Sequence, residues 1–200
     1  MKKLLFITAT ICVIFSNSTT LNAQHEKGEI QIDVYHGLPP HTGIIFRAVS
    51  SVTVDEVVEV KTLGNLGLRF QYYLAPKFAL GIDANYTNRS ATINYALTGF
   101  EEKIQQTVIR AMLRTSWEFV KKGGFEMNWN NSIGYRTSTW GWSATDPDLT
   151  ISADYSAGAI PLAFRSALGF RYMFTENIGL NLEVGVSGGA LLNGGLTIAL

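Results

Sequence analysis

Three histidines lie beyond the N-terminal apolar run, at positions 25, 36 and 41. An imidazole beside a hydroxyl and a carboxylate is what acyl transfer needs, because a base must take the hydroxyl proton and a third group must orient that base. His36 and His41 flank Gly37-Leu38-Pro39-Pro40, and Ser50, Ser51 and Asp55 follow in the same stretch, so such a grouping can be drawn. The plainer reading, polar loop residues in water, is preferred. No His follows His41, which removes a His–Ser pair on any late element. His36 and His41 stand five apart in a Pro-containing loop with no Cys to help, a poor metal set. Asp146 and Asp148 lack the Gly-turn pattern of a calcium loop. Asn88-Arg89-Ser90 matches a glycosylation sequon. No phosphate-cradling loop or dinucleotide fingerprint occurs. The sequence therefore calls for no catalytic residue, no cofactor and no metal.

A second set of reactive groups is placed more regularly. Asp33, Arg69, Asp83, Arg110, Arg114, Glu118, Glu126, Arg165, Arg171 and Glu183 all alternate with apolar residues. Period two is the signature of a strand with two unlike faces. In residues 66–74, Leu66, Leu68, Phe70, Tyr72 and Leu74 oppose Gly67, Arg69, Gln71 and Tyr73. In residues 178–187, Ile178, Leu180, Leu182, Val184 and Val186 oppose Gly179, Asn181, Glu183, Gly185 and Ser187. The same pattern runs through 28–35, 78–86, 105–119, 125–136, 160–172 and 196–200, making eight segments in all. Several exceed nine residues, longer than the roughly five or six usual in soluble proteins and near the 9–11 that cross a bilayer when tilted.

The links between segments alternate in length. Ala75-Pro76-Lys77, Lys121-Lys122-Gly123-Gly124 and Thr175-Glu176-Asn177 are tight turns, whereas 36–65, 87–104 and 137–159 are long; the link near Gly188-Gly189 is short. Tight turns at one end and long loops at the other fit a membrane barrel with both termini on the turn side. Val52-Thr53-Val54 and Val57-Val58-Glu59-Val60 are β-prone and predict a ribbon protruding above the membrane. Residues 43–49 could form a further membrane strand, which would change the count.

Residues 1–23 read as a signal peptide. Lys2 and Lys3 precede an apolar run of about a dozen residues, too short to span a bilayer as a helix, and Leu21-Asn22-Ala23 supplies a small residue at the cut. Residues 24–200 are then one domain. Cys12, the only cysteine, lies in the apolar run, so the mature chain has no thiol chemistry. Taking Lys2 and Lys3 from 16 basic residues leaves 14 against 16 acidic ones. That near-neutral balance gives no reason to expect nucleic acid. Charged residues are only 16% of the chain, below the roughly 25% of soluble domains.

Alternation alone does not say which face meets lipid. The aromatics of the apolar face gather beside the tight turns: Tyr72, Phe78, Trp117, Phe119, Phe125, Phe170 and Tyr172. An interfacial girdle has this arrangement, because an amphipathic ring sits well at headgroup level. The opposite face mixes small residues with charges of both signs, which suits the interior of an eight-stranded barrel, just wide enough for side chains to fill. The fold expected is an all-β, eight-stranded antiparallel up-and-down transmembrane β-barrel.

The Asn22-Ala23-Gln24 junction, the eight alternating segments and the ending Gly194-Gly195-Leu196-Thr197-Ile198-Ala199-Leu200 resemble the small outer-membrane β-barrel proteins of the OmpX and OmpA-barrel type, particularly the signal-bearing versions common in Bacteroidetes. The last strand of that family carries an assembly signal ending in an aromatic; here the last residue is Leu200. The resemblance implies the bacterial outer membrane as location, with outer-membrane lipid, lipopolysaccharide and the barrel-assembly machinery as partners. It also implies a possible surface ligand held by the long loops. It implies a non-enzymatic role in envelope integrity, adhesion or surface interaction. Two alternatives stay open: a narrow pore for small or apolar solutes, suggested by inward Gly67, Gly81, Gly169 and Gly185, and a lipid-A-modifying barrel using His36 or His41. No periplasmic domain is expected after the barrel, and so no grip on peptidoglycan.

Overall fold

A computed structural model describes residues 25–38, 56–95, 99–146, 149–156 and 161–200. Every described element is a strand: β1 (Ile30–Gly37), β2 (Glu56–Ala75), β3 (Phe78–Tyr95), β4 (Phe100–Lys122), β5 (Phe125–Asp146), β6 (Leu149–Ser156), β7 (Leu162–Met173), β8 (Ile178–Ser187) and β9 (Leu192–Ala199). All pairings are antiparallel, and each of the eight alternating segments supplies one strand of a closed ring. The ring runs β1-β2-β3-β4-β5-β7-β8-β9 and returns to β1 through Gln31↔Ala199 and the pairs above it. Closure leaves no open sheet edge around the wall.

The ring has the eight strands expected, and a ninth strand lies outside it. β6 pairs only with the far half of β5, Thr139–Asp146, while the near half, Phe125–Tyr135, pairs with β7. The links expected at 87–104 and 137–159 are in large part strand. β3 runs on to Tyr95, β4 starts at Phe100 and β5 reaches Asp146. Val57 to Val60 belong to β2, paired with β3. The proposed strand at 43–49, Val52-Thr53-Val54 and the signal segment at 1–23 lie outside the described residues.

The wall is therefore uneven. β2 to β5 have 18 to 23 residues each. β7, β8, β9 and β1 have 8 to 12. A register shift between Thr62 and Gly64, with Gly64 at φ 80°, marks where β2 leaves the ring; above it β2 pairs with β3 alone. At the opposite end, Pro76-Lys77 and Gly123-Gly124 make two-residue turns. Ile30 and Leu200 bond to each other's backbone there, so the two ends of the barrel meet on the tight-turn side.

Burial is inverted relative to a soluble domain. Val34, Leu68, Ile82, Ile109, Leu113 and Ile133 face outward, with Leu113 69% exposed, whereas Arg69, Arg165, Glu126 and Glu183 face the axis and are each 1% exposed.

Candidate functional site: the ion-pair axis of the barrel

The inward positions of the ring bring guanidinium and carboxylate groups from seven strands onto one axis. Glu183 on β8 stands at its centre. It accepts from Arg165 Nε at 2.6 Å, Arg114 Nη2 at 2.5 Å, Arg69 Nη2 at 3.1 Å and Asn130 Nδ2 at 3.3 Å. Asp83 accepts from Arg69 Nε at 2.9 Å and Tyr35 Oη at 2.5 Å, with Arg114 Nη1 at 3.7 Å. The Tyr35 ring lies 3.8 Å beneath the Arg69 guanidinium carbon. It can do so because its strand partner is Gly67, where any side chain would collide with the ring. Asn193, in the amide orientation that turns its oxygen toward donors, accepts from Arg165 at 2.9 Å and Arg69 at 3.2 Å.

Below this centre Asp33 accepts from Thr197 Oγ1 at 2.6 Å and lies 3.6 Å from Arg171 and 3.9 Å from Arg69. Arg171 donates to Glu126 at 2.8 Å. Nine of the ten charged residues read from the sequence are thus joined through ion pairs, Glu118 by way of His25. Arg110 is the exception. It sits higher, donates to Asn85 Oδ1 at 3.0 Å and Thr87 Oγ1 at 3.4 Å, and makes no ion pair among the described residues.

A buried ion is stabilised only when its remaining donors or lone pairs are met. Glu183 meets this condition with four donors from four other strands, so it ties β2, β4, β5 and β7 to β8 through one carboxylate. Above it, the β8–β9 connection folds inward. Ser187, Gly188 and Gly189 take φ of 64°, 67° and 122°, and Arg165 Nη1 donates to the carbonyls of Ser187 and Ala190 at 2.9 and 2.6 Å. Side chains at Gly188 or Gly189 would meet Arg165 or Asn65.

Small inward residues do not open a lumen here. Tyr35 covers Gly67, the amides of Asn128 and Asn130 cover Gly169, and Ala167 packs against Gly185. A cavity of about 560 Å³ opens at the tight-turn end, one of about 210 Å³ lies toward the far rim, and the void between Arg69, Arg114 and Glu183 is only about 10 Å³.

The cavity at the tight-turn end holds a group the sequence reading passed over. His25, 3% exposed, stacks on Tyr73 with ring centroids 3.9 Å apart. Its Nδ1 lies 2.7 Å from Glu29 Oε1, and its Nε2 lies 3.0 Å from Glu118 Oε2 and 3.1 Å from Glu126 Oε1. Burial opposes a charge on this ring, but the carboxylates of Glu118, Glu126 and Glu29 outweigh it and push its pKa up to about 10. Burial also opposes the charge on Glu29, and His25 outweighs it, holding that carboxyl below its ordinary range. Lys121 Nζ adds a contact to Glu126 Oε1 at 3.1 Å. Lys121 points inward because of a register shift between Glu118 and Val120, which leaves Phe119 and Val120 both outward.

The other sequence candidates fall elsewhere. Tyr72, Phe78, Trp117, Phe119, Phe125, Phe170 and Tyr172 all lie on the outward face near the tight turns; Phe78 meets Trp117 edge-on at 6.1 Å. Trp129 and Phe174 join them on that face. His36 is exposed at the rim, its Nε2 2.7 Å from the Leu63 carbonyl. Asn88 donates to Thr107 across β3 and β4 at 3.0 Å. His41, Ser50, Ser51, Asp55 and Asp148 lie outside the described residues.

No family model and no curated protein matches this sequence. Among solved structures, similar chains include the N-terminal β-barrel domain of Pseudomonas aeruginosa OprF, with 10% identity, 88% of this chain and 100% of that chain covered, and TM-score 0.45. The outer membrane protein OprG from Pseudomonas aeruginosa shows 15% identity, covers 88% and 97%, and has TM-score 0.44. Ail, the attachment invasion locus protein of Yersinia pestis, shows 9% identity, covers 87% and 96%, and has TM-score 0.38.

Proposed function

We propose that this protein is a non-enzymatic integral barrel of the bacterial outer membrane. In this reading the signal peptide at 1–23 is removed during passage to the periplasm, and the barrel-assembly machinery inserts the rest. The observation that carries the proposal is the inverted burial: a ring with Leu, Ile and Val outward and Arg, Asp and Glu inward. In water the outward belt would expose far more contiguous apolar surface than soluble monomers tolerate. In lipid it is the favoured arrangement, and the closed ring satisfies the backbone where no water can. The belt has the right height. Phe78 and Tyr86 on β3 are eight residues apart; at about 3.3 Å per residue and a tilt of about 40° that spans roughly 20 Å, close to the about 25 Å band of such barrels.

The cross-linked axis favours a plug over a pore. Its charged groups are spent on one another, which is the economy of a stability element rather than of a reaction centre. The sheet that rises above the low rim, β2 to β6, supplies the surface for adhesion or other contacts at the cell exterior. Lipopolysaccharide would surround the belt. The test is cell fractionation with gel migration before and after boiling. The protein is expected in the outer-membrane fraction, with migration that changes on boiling; a soluble protein with unchanged migration overturns the proposal. Planar-bilayer recording is expected to show no discrete conductance, and steady single-channel steps would favour the pore instead.

A further inference from the structure

The geometry at the barrel floor points to a divalent metal site: His25, Glu118 and Glu126 bind one zinc ion, with Glu29 orienting the imidazole. His25 Nε2, one oxygen of Glu118 and one oxygen of Glu126 lie within 4.8 Å of one another, and all three residues are buried. His25 Nε2, Glu118 Oε2 and Glu126 Oε1 are also buried atoms without a hydrogen-bond partner among the described residues. His25 Nε2 meets the two carboxylates at 3.0 and 3.1 Å as a charge pair without an aligned hydrogen bond. When the ring gives up its Nε2 proton, three lone pairs aimed at one point form a cation site, and the ion takes the place of that proton. Tetrahedral zinc with bonds of about 2.0–2.1 Å sets its ligands roughly 3.3 Å apart. The two short separations therefore need to open by only a few tenths of an ångström.

The surroundings complete the argument. A metal-bound histidine normally donates its other ring N–H to a carboxylate, which fixes the tautomer. Here Nδ1 faces Glu29 Oε1 at 2.7 Å, so Nε2 is the nitrogen that would release its proton to bind the ion. Stacking on Tyr73 holds the ring plane, and Arg171 holds the other oxygen of Glu126 at 2.8 Å, turning Oε1 toward His25. His25 and Glu126 line the cavity of about 560 Å³, which gives the ion a path from solvent and room for water as fourth ligand. Lys121, which contacts Glu126 Oε1 and also lines that cavity, competes with the ion and can swing its ammonium outward. The ion would fasten the segment before β1 to the β4–β5 turn. This does not depend on what surrounds the barrel.

The test uses the full chain without a polyhistidine tag, extracted into detergent and stripped by a chelator. Zinc is then titrated against a chromophoric chelator. One equivalent is expected to bind. His25→Ala should weaken binding by more than the roughly 10–100-fold of an outer-shell loss, and Glu29→Gln by about 10-fold. Lys121→Met should tighten it several-fold. Boiling-dependent migration checks that each variant is folded. If His25→Ala does not fold, the opposite shifts of Glu29→Gln and Lys121→Met decide the matter, since adventitious surface binding would follow neither. Failure of the wild-type chain to compete for micromolar zinc overturns the proposal, as does unchanged binding in folded His25→Ala, or no shift in either of the other two variants.

Discussion

Replacing Glu183 by Gln keeps the shape of the side chain and removes its charge. The carboxylate is 1% exposed and accepts from three guanidinium groups and one amide. After the change, Arg69 keeps Asp83 and Arg114 keeps a longer contact with Asp83 at 3.7 Å. Arg165 keeps only neutral oxygens, the carbonyls of Ser187 and Ala190 and the amide of Asn193. Glu183→Gln thus leaves a buried cation without its counter-ion, which typically costs about 3–5 kcal/mol. That is a large part of the roughly 5–15 kcal/mol that separates folded from unfolded domains. Urea titration of the protein in lipid vesicles, read by the migration difference between folded and boiled forms, measures it. With a slope of about 2 kcal/mol per molar urea, the midpoint should fall by about 2 M. Adding Arg165→Met to Glu183→Gln should recover part of the loss, because the stranded cation is gone. A midpoint shift below about 0.5 M for Glu183→Gln, at unchanged slope, would refute the claim that this carboxylate joins the strands across the axis.

Leu113→Arg changes a residue that is 69% exposed on the outward belt; in a bilayer it should cost about 2–4 kcal/mol, whereas at a water-exposed position it would stay within about 0.5 kcal/mol, and folding in vesicles measures the difference. Gly188→Ala should destabilise the β8–β9 connection, since φ is 67° and the added carbon meets Arg165; a lower urea midpoint is expected. Excising Leu149–Ser156 with a short linker should leave boiling-dependent migration intact, because β6 pairs only with β5 outside the ring. Loss of that behaviour would mean that β6 supports closure.

The ring strands were legible because burial inside a narrow barrel forces contrast between neighbouring residues. Along β8, Leu180, Leu182 and Val184 must meet one environment and Asn181 and Glu183 the other, so the sequence carries the period openly. The far half of β5 and all of β6 lie beyond the ring, where both faces can be polar. Thr137-Ser138-Thr139 carries no contrast, and the alternation in Leu149-Thr150-Ile151-Ser152 lasts only four residues, so the region reads as loop. Which charges would line the axis followed from alternation, but not their partners: the bond from Arg69 to Glu183 spans 114 residues and depends on how the ring closes. Lys121 was hidden by the register shift after Glu118, which reverses the parity of β4 near its end. His25 precedes β1 and belongs to no alternating run. The nearest signal for it was that Glu118 and Glu126 flank one tight turn and face inward together.

The seam between β1 and β9 also governs how the molecule can be made. Asp33 and Thr197 meet across it, 164 residues apart, and neither strand has its second neighbour until that meeting occurs. Synthesis must deliver almost the whole chain before the circle can shut. Until then two unsatisfied flanks, each able to template a foreign strand, have to be kept apart. The slowest folding step of a chain with this topology should therefore be the joining of its first and last strands.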